Sequence, residues 1–226
     1  RSRFTFDPAL DVFPVWSPDS RGLYFASNRG GEQGIYRKDI AGAGNVELIL
    51  RNDRNLWPSS VSPDEQWLLL SVPGEGTGQD VSVVALEGAA EMQPFRHTEC
   101  QEASAVFSPD GRWVAYHSDE SGEFEIYVTP FPGPGRRWQV STASGAYPVW
   151  SGDGSQVIFT RMDGVLMSAR VRAQGETFEV EGEDELFIMR PPEVGGSYFS
   201  ISGDAERVLI IPGTAQRADS LLHLLV

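Results

Sequence analysis

Three histidines, one cysteine and 32 carboxylates are the groups in this 226-residue chain with the widest chemical range. The densest gathering is His97, Glu99, Cys100 and Glu102, an imidazole, a thiol and two carboxylates in the stretch HTECQE. Such a set could ligate a metal, but no second His or Cys group accompanies it, so it reads as a loop between an outer strand and the next inner one. Cys100 has no partner cysteine in the chain, which excludes an internal disulfide and a multi-Cys zinc site. His117 and His223 lie inside apolar runs, where a lone histidine usually serves a local hydrogen bond. A serine nucleophile needs a base and an orienting acid within reach, and no Gly-x-Ser-x-Gly elbow is present. Phosphoryl-transfer motifs are also missing: the chain has no kinase Gly-rich loop, no His-Arg-Asp and no Asp-Phe-Gly. Asp119 and Glu120 are adjacent and would point apart in a turn, and Asp153 lacks the regularly spaced oxygens that calcium requires. No cofactor and no metal is expected.

Ser108-Pro109-Asp110, in VFSPDG, could be a modified serine or a ligand carboxylate, yet related pieces recur as VWSPDS, SVSPDE, VWSGDG and SISGDA. Their aspartates, Asp19, Asp64, Asp110, Asp153 and Asp204, are 45, 46, 43 and 51 residues apart. A period in this range marks a repeat architecture. In each unit an apolar run precedes the aspartate and another follows it (LYFAS, WLLLS, WVAYHS, QVIFT, RVLII). A third run and usually a fourth come after polar or Gly-rich breaks, as in GIYRKDI and NVELIL. Short runs rich in Val, Ile and aromatic residues between turn formers are strands. Four antiparallel strands per unit of this length make a blade.

The predicted fold is therefore all-β, a single β-propeller domain over residues 1–226 with about five four-stranded antiparallel blades, at about 7–50, 51–96, 97–142, 143–189 and 190–226. The last unit is one strand short. The N-terminal strand at residues 2–6 (SRFTF) is expected to complete it against SLLHLLV, giving a closed monomer without free edges. In the SPD turns Pro fixes the first central turn position, and a glycine after the aspartate takes the positive φ that closes the hairpin. Gly111 and Gly154 fit this scheme, whereas Ser20, Glu65 and Ala205 replace the glycine, so those three turns are expected to differ.

The stretches WSPDSRGLYFASNRGGEQGIYRKDI (16–40) and FSPDGRWVAYHSDESGEFEIYVTPFPGPGRRWQVST (107–142) resemble the TolB-like propeller family, with its aromatic-Ser-Pro-Asp-Gly repeat and Ile-Tyr third strand. The second stretch is similar to the propellers attached to bacterial receptor-type serine/threonine kinases. The likeness covers nearly the whole chain and is weakest over 173–196. It implies a sensory or protein-docking module, extracytoplasmic at the periplasm or cell surface, within a larger signalling protein. Alternatives are a periplasmic TolB-type adaptor, an engineered scaffold, a propeller enzyme of lyase or glycosidase type, and the gate of a prolyl-oligopeptidase-type hydrolase.

The formal charge of −14 disfavours both nucleic acid and anionic membrane surfaces as partners, and neither is expected. No apolar run reaches the roughly 18 residues that span a bilayer. Seven acids between Glu176 and Glu193 against Arg190 alone read as a solvated loop and outer strand. The partner expected is a protein, a peptide or a small polar ligand. It would sit where the inner strands begin, at one mouth of the channel. Counting back from each repeat aspartate places Asp11, Phe13, Trp57, Glu102, Tyr147 and Tyr198 there, with Arg29 and Arg161 from the adjoining loops. The five turn aspartates belong to the opposite face, and their role is structural.

Overall fold

The structure, a computed structural model, describes residues 4–41, 45–76, 78–88, 90–133, 135–189 and 199–210. Among them there is no helix, and so none long and apolar enough to cross a membrane. The strands are β1 (Asp11–Trp16), β2 (Gly22–Ser27), β3 (Gly34–Asp39), β4 (Glu47–Arg51), β5 (Trp57–Val61), β6 (Trp67–Pro73), β7 (Gln79–Ala85), β8 (Met92–Arg96) and β9 (Glu102–Phe107). They continue as β10 (Trp113–Ser118), β11 (Glu125–Pro130), β12 (Trp138–Gln139), β13 (Ala146–Trp150), β14 (Gln156–Thr160), β15 (Val165–Gln174), β16 (Thr177–Ile188), β17 (Phe199–Ile201) and β18 (Val208–Ile210). They form four four-stranded sheets and one two-stranded sheet, each with its strands in chain order. These are the meanders of propeller blades, and the fifth is represented among the described residues by β17 and β18.

All five repeat aspartates sit in one turn design. In the third sheet the Ser108 N–H donates to Trp113 O (2.8 Å) and the Gly111 N–H to Ser108 O (2.9 Å). Ser108 Oγ donates to Asp110 Oδ1 (2.6 Å) and accepts from the Trp113 N–H (3.0 Å), while Asp110 Oδ1 also accepts from the Arg112 N–H (3.1 Å). The same bonds recur around Ser17/Asp19, Ser62/Asp64, Ser151/Asp153 and Ser202/Asp204. The serine and the aspartate thus satisfy backbone N–H groups that the tight loop would otherwise strand.

The expectation that three turns differ is wrong. Ser20, Glu65 and Ala205 adopt φ of 57°, 55° and 57°, beside 71° and 72° at Gly111 and Gly154. The shared Ser-Asp bonding holds the left-handed conformation regardless of residue, at a cost of about 1 kcal/mol where the side chain is not glycine. The replacement of proline in SGDG also has a cause. The Gly152 N–H donates to Gly203 O (2.9 Å), and a Cβ on Gly152 would lie 2.5 Å from that oxygen, so proline fits neither the bond nor the space.

The chain divides into two compact units, residues 1–107 and 108–226. In the first, Tyr24, Ala26, Ile35, Leu56, Leu68, Leu70, Val72 and Val84 form a buried core joined by Val12, Val15 and Leu50. In the second, Ile158, Leu166, Met189 and Phe199 pack with Tyr147, Val149 and Ile201. A further aromatic group there joins Trp113, Trp138, Trp150 and Phe178, with ring centroids 5.3–6.1 Å apart.

Two sequence expectations shift. Phe4 to Phe6 form no strand. Phe4 O accepts from Lys38 Nζ (2.5 Å), and the rings of Phe4 and Phe6 face that ammonium in a local cation–π contact. The remainder of the predicted closure, residues 2–3 and 220–226, with His223 in it, lies outside the described residues. The acidic stretch, taken as loop plus strand, is strand over Thr177–Ile188, with bulges at Glu181 and Leu186. Acidic residues have low strand propensity, but Arg170 and Arg172 on β15 pair with Asp184, Glu179 and Glu181, and Phe178 is buried at the hairpin's far end.

Candidate functional site

In the first unit the structure brings Asp11 and Arg29 together. Arg29 Nη2 lies 2.7 and 2.8 Å from the two Asp11 oxygens, and Arg29 Nε donates to Ser27 Oγ (3.0 Å). The guanidinium carbon is 5.1 Å from the ring centroids of both Phe25 and Tyr36, and the Tyr36 hydroxyl donates to Arg29 O (2.7 Å). Burial pushes the Asp11 carboxyl up, but hydrogen bonds from Ser27, Thr5 and Arg29 outweigh it and hold the group below its ordinary value. The pair is a closed clamp across the start of β1, with little of either charge left for a ligand.

Phe13 follows that clamp at φ 54° and is 43% exposed. The β1–β2 register slips between Val12 and Val15, so Phe13 and Pro14 form a bulge. Left-handed φ is an outlier for an aromatic residue, and more so before proline. The same feature recurs six residues before the turn aspartate at Ser104 (φ 53°) and Tyr147 (φ 56°). In the second sheet Pro58 occupies that position and cannot take positive φ; the extra residue is Ser59 instead, placing Trp57 at the head of β5, half-buried. Beside it Leu56 is fully buried, its carbonyl accepting from Gln33 Nε2 (3.3 Å).

Glu102, expected at the mouth, is fully buried. Its carboxylate accepts from the Thr98 hydroxyl and N–H, and burial raises its pKa above the usual carboxylate range. His97 turns away from it, 3.0 Å from Ser82 Oγ through Nε2 and 3.5 Å from Asp80 through Nδ1. That sequence of atoms is a nucleophile–base–acid relay, but Ser82 is 1% exposed in the middle of β7, and the relay ties β7 to the chain leaving β8. Among the described residues no group of three or more His, Cys, Asp or Glu is placed to hold a metal ion.

In the second unit the Tyr147 N–H donates to His117 Nδ1 (3.4 Å), and the imidazole lies edge-on between Phe124 and Tyr147, with centroids 5.2 and 5.5 Å away. Burial lowers the His117 pKa to about 4, against a weaker opposing pull from Asp119, so the ring is neutral at pH 7. This histidine was expected to be structural; that it supports a strained tyrosine could not be read from residues 30 positions apart. Arg161 bonds to Asp163 and, through Nη1, to Glu185 (2.6 Å), which hold it cationic. Tyr198 lies outside the described residues.

No family model matches the chain. Among solved structures it is similar to TolB from Acinetobacter baumannii, with a TM-score of 0.69 and 20% identity over 92% of this chain and 50% of that one. A putative TolB from Agrobacterium tumefaciens gives 0.60 and 20%, covering 76% and 64%, respectively. The fold is a β-propeller, as in these TolB structures. An oligogalacturonate lyase from Vibrio parahaemolyticus shares it at a TM-score of 0.61 and 14% identity, covering 88% of this chain and 57% of that one. The propeller described here thus spans about half the length of the A. baumannii protein. At such identities the likeness extends to architecture and stops short of ligand and reaction.

Proposed function

We propose that the chain is a non-catalytic binding propeller that docks a protein segment or peptide, or a small polar ligand, at its inner-strand starts. The observation that carries this reading is the pair of aromatic-proline bulges, Phe13-Pro14 and Tyr147-Pro148, which hold aromatic side chains in a backbone conformation that costs about 1–3 kcal/mol. Strain of that size persists where a side chain must be aimed, and half-exposed aromatic rings are the residues that anchor partners. The groups able to do chemistry nearby are engaged already: Arg29 by Asp11, Arg161 by Asp163 and Glu185, and His117 by two rings and a backbone N–H.

A finer placement, as the extracytoplasmic docking part of a larger bacterial signalling protein, rests on the resemblance of residues 16–40 and 107–142; the structural likenesses supply no link to receptor kinases. The test is selection of peptides from a random library on the immobilised protein, followed by affinity measurement with Phe13→Ala, Trp57→Ala and Tyr147→Ala. Weakening of about tenfold or more in variants that fold normally is expected. Undiminished binding in all three, or turnover of oligogalacturonate by the wild type, would overturn the reading.

A further inference from the structure

Outer strands of the other four-stranded sheets are short: β4 and β8 have five residues each and β12 two, whereas β16 has twelve. Proteins blunt their free sheet edges by shortening them, because an edge exposes a row of unpaired N–H and C=O groups that can template another chain. β16 departs from that rule. It pairs with β15 on one side and closes the sheet order β13-β14-β15-β16, with no strand on its other side among the described residues. It also exposes Val180, Leu186, Phe187 and Ile188, the last at 77%.

The charge pattern decides what such an edge can take. Glu176, Glu179, Glu181, Glu183, Asp184 and Glu185 lie on or just before the strand, against three arginines. Arg172 pairs with Glu179 and Glu181 (2.9 and 3.3 Å), Arg170 with Asp184, and Arg161 with Glu185. These contacts orient the carboxylates and leave the strand with a net negative charge. A second copy of the same strand would set acid opposite acid, which is destabilising for cross-strand neighbours.

We propose that the free edge of β16 is a strand-addition site for an extended basic protein segment in which Lys or Arg alternates with apolar residues. Main-chain bonds to the edge would supply affinity, and carboxylate contacts with exposed Val180 and Leu186–Ile188 would set preference. The residues differ from Phe13, Trp57 and Tyr147, so this site and the inner-strand site stand or fall separately.

The experiment uses the full chain and a synthetic peptide of about ten alternating lysines and valines, with an acidic Glu/Val peptide and a backbone N-methylated lysine peptide as controls. The lysine peptide is expected to bind, about tenfold more weakly when salt is raised from about 0.05 to about 0.5 M. Glu179→Gln and Glu181→Gln should each weaken it several-fold, with only a small fall in melting temperature from the lost contact with Arg172. Binding should also slow amide hydrogen exchange at alternate residues of β16, where the N–H groups point away from β15. Equal binding of the N-methylated or acidic peptide, no binding at all, unchanged exchange in β16, or concentration-dependent self-association through this edge would each overturn the proposal.

Discussion

The two ends of the inner strands β1, β5, β9 and β13 are built by opposite rules. At the turn end, five loops share one hydrogen-bond pattern and one left-handed φ, whether that residue is Gly, Ser, Glu or Ala. At the other end, β1, β5 and β13 carry a bulge and Ser104 in β9 has positive φ, but the surroundings change from sheet to sheet. Phe13 stands exposed beside a charged clamp, Ser104 donates its N–H to Ser71, and Tyr147 leans on a buried neutral imidazole. Uniformity identifies the end that only has to reverse the chain. Variation at a strained position identifies the end where side chains have been fitted to different tasks.

The sharpest way to separate the ends is to titrate His117. Its folded pKa of about 4 lies below the ordinary 6.5, so the native state holds the neutral ring while the unfolded chain binds a proton. Stability is therefore full above pH 6.5 and falls as pH drops toward 4, by up to roughly 3 kcal/mol from this group. His117→Asn retains an acceptor for the Tyr147 N–H and removes the titration. Urea unfolding across pH 7 to 4 should lose most of that slope in the variant, and an unchanged slope would place the titrating group elsewhere. Asp153 acts lower on the scale. Its pKa of about 2, depressed by hydrogen bonds from the Ser155 backbone, Ser151 and the Ser155 hydroxyl, preserves the turn until pH falls from about 4 toward 2.

How far the sequence discloses these two ends differs for a physical reason. The turn aspartates, their spacing and the strands around them are legible because turn chemistry and period-two patterning are local. Counting back from Asp19 and Asp153 also reaches Phe13 and Tyr147, the two aromatic residues at positive φ, so the place of these bulges along the chain is legible too. Its state is not. Nothing in an aromatic-proline pair announces positive φ, which the pairing of β1 with β2 and of β13 with β14 imposes across the sheet. Glu102 looks like a mouth residue by counting, yet its side chain turns inward to Thr98 four residues earlier. The extension of β16 into the acidic stretch depends on arginines of β15 and on the burial of Phe178, a contact invisible to local propensity.

The contrast between Phe13 and Tyr147 predicts opposite responses to the same change. Tyr147→Gly relieves the φ but removes a ring packed on His117 and on the second unit's core, and should destabilise by about 2 kcal/mol. Phe13→Gly relieves equivalent strain while removing a ring already 43% exposed, so its effect on stability should stay within about 1 kcal/mol of zero, with the loss appearing in partner affinity. Equal destabilisation by both would mean that Phe13 is a packing residue, and the division between fitted and structural ends would fail at the first sheet.

The smallest expected effect tests the uniform end. Because Ser20 holds the φ that Gly111 holds, Ser20→Gly should raise stability by at most about 1 kcal/mol, and Gly111→Ala should lower it by about the same amount, measured by denaturant unfolding. Removing the shared bonding should matter more than either. Asp110→Asn keeps an acceptor for the Arg112 N–H but loses the charge-assisted bond from Ser108 Oγ, so a modest destabilisation with intact binding is expected. If Asp110→Asn instead impaired binding in a normally stable protein, the turn end would carry recognition. The recurring serine-aspartate pair would then have to be reassigned from chain reversal to ligand contact.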